Sequence, residues 1–344
     1  MKAMVCTKYG PLEVLQLKEV EKPSPGDDEV LVNVHASSVN YNTLGRVSGK
    51  PFLARLVGAG LLKPKHQILG NDIAGQVEAV GGNVQQFRPG DEVFGDLAEC
   101  GLGAFAEYVS VPEDALALKP ANLTFAEAAA VPEAAVVALQ GLRDKGQIKA
   151  GQKVLICGAS GGIGTFAVQI AKSFGAEVTG VCGTRNLDLV RSIGADHVID
   201  YTKEDFTKNG RCYDLILATA GYRSIFDYRR ALNPSGIYVA TGGSMSGPKA
   251  MAQIYQALLL GPWISMTGKK KLCMLTLRIN QKDLVFMKEL LEAGKVKPVI
   301  DRRFPLAEAA EALRYYGGGH ARGKVVITVE PNHKTWPIGG KVCQ

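Results

Sequence analysis

The residues best suited to chemistry lie in one short string: Gly158, Ala159, Ser160, Gly161, Gly162, Ile163 and Gly164. It follows an apolar run, Lys153 to Cys157, and precedes an amphipathic one, Ile163 to Phe174, so it reads as a strand-to-helix turn. Glycine in such a turn accepts positive φ and lets backbone amides close on a pyrophosphate, whose charge is favoured at a helix N-terminus. Gly164 would let helix and strand pack closely. A glycine string alone is weak evidence of a nucleotide site. Here a second strand, Glu177 to Val181, follows at the distance a dinucleotide-binding βαβ unit requires, and a merely tight turn does not account for that coincidence.

The residue ending that second strand ordinarily separates NAD from NADP at the adenosine ribose. No acid stands there, since the chain reads Val181, Cys182, Gly183, Thr184, Arg185, Asn186. Arg185 can pair with a 2′-phosphate that a carboxylate would repel, so NADPH is the expected cofactor. Thr184 and Asn186 should flank it, with Tyr201, just past Val198 and Ile199, beside the same phosphate. The plainer alternatives are an exposed arginine at a helix start, a threonine N-cap and a surface tyrosine. No Ser-His-Asp set, paired carboxylates or activated cysteine offers a rival catalytic centre. The seven cysteines are scattered, without a C-x-x-C pair or an adjoining histidine cluster, which argues against a thiol metal centre and for a reducing compartment.

The elements that must position these residues divide in character along the chain. Up to Leu123 the pattern is strand and turn: Val30 to Ala36 alternates, Ile73 to Val80 does much the same, and Pro89-Gly90-Asp91 is a turn signal. Thr124 to Glu127 forms a capping box before an alanine-rich helix that Pro132 should kink or restart. From Gln152 strands and helices alternate, with strand candidates at His197 to Ile199, Leu215 to Ala218 and Ile237 to Ala240, as a doubly wound parallel sheet requires. Beyond Gly268 a strand near Leu272 to Leu277, helices at Gln281 to Ala293 and Leu306 to Tyr315, and a strand at Val325 to Val329 should rejoin the first domain. The expected organisation is therefore a β domain over residues 1–125, a dinucleotide-binding domain over 126–267, and completion of the first domain over 268–344. At 344 residues two cores are expected rather than one.

These motifs together resemble the medium-chain dehydrogenase/reductases, and within them the zinc-independent quinone oxidoreductases. The resemblance spans nearly the whole chain. It rests on Ser38 to Asn42, Ile68 to Val77, Val80 to Gly82, Pro89 to Val93, Gly103 to Tyr108, the glycine turn, Arg191 to Asp196 and the stretch His320 to Val326. It implies a Rossmann sheet inserted into a GroES-like β-barrel domain, with the active site in the cleft between them. Zinc-dependent relatives hold metal with a cysteine and the histidine of a Gly-His-Glu triplet. This chain has Asn40 at the first place and Gly70-Asn71-Asp72 at the second, and Asp96 to Gly103 contains only Cys100, so no metal is expected. The resemblance then implies hydride transfer to a quinone or conjugated enone by placement alone. Asn40 is the leading pocket residue, to orient the nicotinamide ribose or the substrate oxygen, with Tyr41 and Asn42 behind it. Ala220, Thr241 and Gly242 should border the cofactor, and Arg322 should close over it from the other domain. Where zinc-free relatives often carry glycine and threonine, this chain has Ala135 and Val137, and Glu133 beside them either enters the pocket or caps the helix. The resemblance further implies a homodimer, paired through strand edges near Ile237 to Ile264.

The formal charge of +7 favours anionic ligands, and a phosphorylated cofactor satisfies it without invoking nucleic acid. Basic residues are scattered apart from Lys269, Lys270 and Lys271, too short a run for a binding tail. The longest apolar stretch, Ile254 to Met266, is interrupted by Gln256, Gly261 and Pro262 and falls short of a membrane span. The N-terminal stretch lacks an apolar secretory core, so the cytoplasm is expected. The alternative function is a nucleotide-sensing or RNA-binding protein on the same fold with little catalysis.

Overall fold

The computed structural model describes residues 1–50, 55, 60–220, 223–241 and 269–329. Strands β1 (Lys2–Cys6) and β2 (Leu15–Glu19) pair antiparallel. The next five are β3 (Glu29–Ser38), β4 (Asp72–Val80), β5 (Glu92–Asp96), β6 (Tyr108–Pro112) and β7 (Leu116–Leu118). They build an antiparallel sheet in which β4 and β6 both pair with β3. Alternation along β3 sends Val30, Val32 and Val34 into one core with Ile73, Val77 and Val93. Helix α1 (Tyr41–Ser48) leaves the end of β3.

Thr124 opens α2 (Phe125–Ala129) with the expected capping box, its hydroxyl accepting from the Glu127 amide while the Glu127 carboxylate accepts from the Thr124 amide. Pro132 then starts α3 (Pro132–Gln140) from its first position, where a missing N–H costs nothing. Five strands follow with helices between them. These are β8 (Lys153–Cys157), β9 (Glu177–Cys182), β10 (His197–Asp200), β11 (Tyr213–Ala218) and β12 (Leu232–Ala240), with α4 (Gly162–Ser173), α5 (Leu187–Ser192) and α6 (Ile225–Arg230). Val154 and Ile156 of β8 enter one core and Leu155 and Cys157 another, so the sheet is covered on both faces. Its order is β10-β9-β8-β11-β12, then a last strand β13 (Lys271–Met274), all parallel. The order reverses between β8 and β11, which opens a crevice at their C-terminal ends.

β13 corrects the expected boundary at residue 268. Leu272 and Cys273 stand opposite Tyr238 and Val239, so this segment completes the parallel sheet instead of rejoining the β domain. A short apolar run suits either sheet by periodicity alone, and register decides. Helix α7 (Gln281–Glu292) also stays on this side, burying Leu284, Met287 and Leu291 in the core that holds Val136 and Leu139 of α3. The return comes with β14 (Ile300–Pro305) and β15 (Lys324–Thr328), β15 running antiparallel to the Ala36–Ser38 end of β3, with α8 (Ala309–Gly317) between them. Among the described residues β13 is therefore the edge strand beyond β12, and the Ile237–Ala240 segment lies inside. Gly242, and Ile254 to Ile264 of the expected dimer edge, fall outside the described residues.

Candidate active site

At the crevice, Gly158 turns the chain with φ +78°, and its amide and that of Ala159 donate to the Val181 carbonyl. A Cβ on Gly164 would lie 2.0 Å from the Gly158 carbonyl oxygen, so only glycine permits this approach of helix to strand. A Cβ on Gly161 would meet nothing nearer than 3.5 Å, so space remains beside this residue where α4 begins, although one on Gly162 would meet Lys324 at 3.1 Å. Ala220 lies against Gly158, and Thr241 donates its amide to Ala218, so both sit at the same strand ends as the turn. Asn186 donates to the Ser160 hydroxyl at 3.0 Å and keeps a buried amide oxygen without a partner. A helix N-terminus at a glycine turn and an unsatisfied acceptor fit a dinucleotide.

Thr184 is no N-cap: its hydroxyl donates to Asp200 at 2.6 Å. Asp200 arrives laterally, opposite Cys182 in the register of β10 with β9, and is the acid that reading along β9 misses. The hydroxyls of Thr184 and Thr202 hold its carboxyl below the usual range, and those bonds occupy it. Arg185, next to Thr184 in the chain, is exposed, and Tyr201, also exposed, reaches over Gly183. From the β domain, the Gly323 amide donates to the Ser160 carbonyl at 2.9 Å, which sets exposed Arg322 next to the turn.

Lys324 follows directly and enters a buried polar cluster. Its ammonium lies 3.2 Å from Asp72 and also donates to the Asn40 amide oxygen. Asn40 occupies the N-cap position of α1 without capping it, because its side chain turns inward to donate to Asp72 at 2.8 Å and to Asn71. Ser38, the Glu133 amide and, at 3.4 Å, the Asn71 side-chain amide also donate to Asp72. The Asn71 amide nitrogen donates to Glu133 at 2.8 Å and approaches Asp96 at 3.3 Å, while Asn42 donates to the other Glu133 oxygen at 3.1 Å. Thus Asn40 and Asn42 join one site. Glu133 enters it rather than capping α3, whereas Tyr41 stands at its edge near Tyr316 of α8.

Three carboxyl groups, of Asp72, Asp96 and Glu133, bring oxygens within 4.8 Å of one another. Burial, with Asp72 and Glu133 nearby, pushes the Asp96 carboxyl well above its ordinary range, despite the Ala98 amide and Asn71. Burial and Asp72 raise Glu133 as well, against Lys324, Asn71 and Arg46. Burial, with Glu133 and Tyr41 adding to it, pushes the Tyr316 phenol up to about 12. The donor set contains neither thiolate nor imidazole, and Lys324 already brings a cation to it, so the residues do not suit zinc. Sequence reasoning missed Asp96, Lys324 and Tyr316 as site residues; the one available signal was that Asp72 and Lys324 each lie inside a motif already singled out.

Comparison with known proteins agrees with this architecture. Residues 26–121 match the alcohol dehydrogenase GroES-like domain and residues 193–327 the zinc-binding dehydrogenase domain. The chain is 36% identical over 338 residues to a 2-methylene-furan-3-one reductase of Solanum lycopersicum, covering 95% of this chain and 79% of that one. It is 34% identical over 340 residues to a chloroplastic NADPH-dependent alkenal/one oxidoreductase of Arabidopsis thaliana, with the same two coverages. The solved quinone oxidoreductase of Coxiella burnetii superposes with a TM-score of 0.82 at 29% identity, covering 96% and 99% of the two chains. A Rossmann sheet joined to a GroES-like barrel, with a glycine turn at the crevice, defines a medium-chain dehydrogenase/reductase. The chain belongs to that family, in its quinone oxidoreductase-like branch.

Proposed function

We propose that this chain is an NADPH-dependent, zinc-free reductase of quinones or α,β-unsaturated carbonyl compounds. The observation that carries the reading is the junction of two parts: a glycine turn at the N-terminus of a helix, clipped through Gly323 to a buried amide and carboxyl cluster without thiolate or imidazole. When bound, the nicotinamide cofactor supplies a hydride. The chain supplies placement. The helix start at Gly162 and the exposed Arg185 and Arg322 receive phosphate charge, while Thr184, Asn186 and Tyr201 flank the adenosine ribose. Asn40, held by Asp72 and Lys324, keeps one lone pair of its oxygen for a ribose hydroxyl. Because these groups are already bonded to one another, they need no reorganisation when charge develops on the acceptor oxygen.

The similarity to an NADPH-dependent alkenal/one oxidoreductase supports the reading. Six free cysteines among the described residues accord with a reducing compartment such as the cytoplasm. The β13 edge is the surface along which a second copy would pair, and native mass spectrometry tests the homodimer. Steady-state assays with NADPH or NADH against a panel of quinones and enones test the function. Turnover with NADPH is expected; tight NADPH binding without turnover on any acceptor would favour a nucleotide sensor instead.

A further inference from the structure

We propose that Glu133 is the proton donor to the reduced acceptor and that Asp96, behind it, returns the proton. The inference rests on the reading of the chain as an enone reductase. Hydride addition at the β-carbon moves the π electrons onto the carbonyl oxygen, and a proton must then reach the α-carbon. In this step the Glu133 O–H bond breaks, the α-carbon C–H bond forms, and a carboxylate remains; the nicotinamide cofactor is the reductant. A solvent proton then returns through Asp96 to the Glu133 carboxylate, leaving hydroxide in bulk water, so atoms and charge balance.

The geometry points to Glu133 for three reasons. First, the cluster holds three carboxyl groups against one ammonium, and that ammonium pairs with Asp72. Asp72 also takes Ser38, Asn40 and the Glu133 amide and a long bond from Asn71, so among the described residues Asp96 and Glu133 have only their parts of the Asn71 amide, with Ala98 and Asn42 besides. A proton retained between them removes one charge from the crowd. Burial pushes both carboxyls in the required direction. Second, Glu133 is the member with an opening: it is half-buried and bonded to exposed Asn42, whereas Asp96 is 2% exposed. Third, oxygens within 4.8 Å are close enough for one water to span them with two ordinary hydrogen bonds, and Asp96 also lines an open cleft of about 1410 Å³ with Cys100, Gln140 and Arg143. The charged and titratable groups facing Glu133 are Asp72 on β4, Asp96 on β5, Lys324 on β15, Arg46 and Tyr41 on α1, and Tyr316 on α8.

Infrared spectra of the cofactor-free protein at neutral pH should show the C=O stretch of a protonated carboxylic acid that Glu133→Gln weakens or removes. The same variant should bind NADPH as the wild type does, yet turn over an enone roughly 100-fold more slowly, the low end of general-acid contributions. Product formed in deuterated water should carry deuterium on one face of the α-carbon in the wild type and on both faces in Glu133→Gln. Asp96→Asn should move the alkaline limb of kcat to lower pH, because the last proton of a coupled pair leaves later than either acid alone would lose it. Absence of the band, or a Glu133→Gln enzyme with wild-type turnover and face selectivity, would overturn the proposal. A wild type that shows the band but reduces no enone would overturn the reaction it rests on, and the donor role with it.

Discussion

Lys324→Met is the most demanding test of the cluster, because it changes charge while nearly keeping volume. The Lys324 side chain is 2% exposed and that of Asp72 0%, with nitrogen and oxygen 3.2 Å apart. Removing one partner of a buried ion pair typically costs about 3–5 kcal/mol, since the remaining charge is left uncompensated. Asp72 keeps donors from Ser38, Asn40 and the Glu133 amide, which places the expected loss at the lower end, about 3 kcal/mol. Denaturant unfolding should show a lower midpoint with an unchanged slope. Adding Asp72→Asn to Lys324→Met removes the stranded charge and should recover most of the loss, a non-additivity that measures the pair itself. A loss below about 1 kcal/mol, the range of exposed pairs, or a double variant no more stable than Lys324→Met, would refute the reasoning.

Three further outcomes follow from the same geometry. Arg185→Ala should weaken NADPH by about one to two orders of magnitude, the worth of a charge-assisted arginine–phosphate bond, and leave NADH nearly unchanged; equal weakening of both in titrations would return Arg185 to a surface role. Gly161→Ala should keep the wild-type Tm while raising the dinucleotide Kd, whereas Gly164→Ala, with its Cβ 2.0 Å from a carbonyl oxygen, should lower Tm; calorimetry and binding on both variants separate cradle from packing. Folding raises the carboxyls of Asp96 and Glu133, so the folded chain binds more protons once pH exceeds the ordinary carboxylate range, and stability falls as pH rises from there through the folded values. The slope is at most about 1.4 kcal/mol per pH unit for each retained proton, and Asp96→Asn should flatten it in denaturation midpoints measured across that interval.

The parts of the fold set by neighbours in sequence were legible. A strand, a glycine turn and a helix lie within about one βαβ unit, and the capping box at Thr124 and the restart at Pro132 need only local backbone chemistry. Asn40 was picked out by its place in a motif, but its partner Lys324 lies 284 residues away, and no periodicity connects them. Asp200 was missed for a related reason: the residue beside Thr184 comes from the adjacent strand, whose register is a property of the sheet. The boundary at residue 268 failed because a four-residue apolar strand carries no mark of the sheet it will join.

The clip between Gly323 and Ser160 also bears on how the chain matures as it is made. A nascent chain that has emerged as far as β13 holds the whole parallel sheet and its glycine turn. It still lacks Lys324, so Asp72 has no cation, and the Ala36–Ser38 end of β3, paired with β4 on one side, has no strand on the other. Such an intermediate could meet a dinucleotide before it owned a finished pocket, and it would expose an unpaired strand edge while waiting. Translation therefore delivers the glycine turn first and the completed cluster last, and the interval between them is when the growing polypeptide most needs shielding from its neighbours.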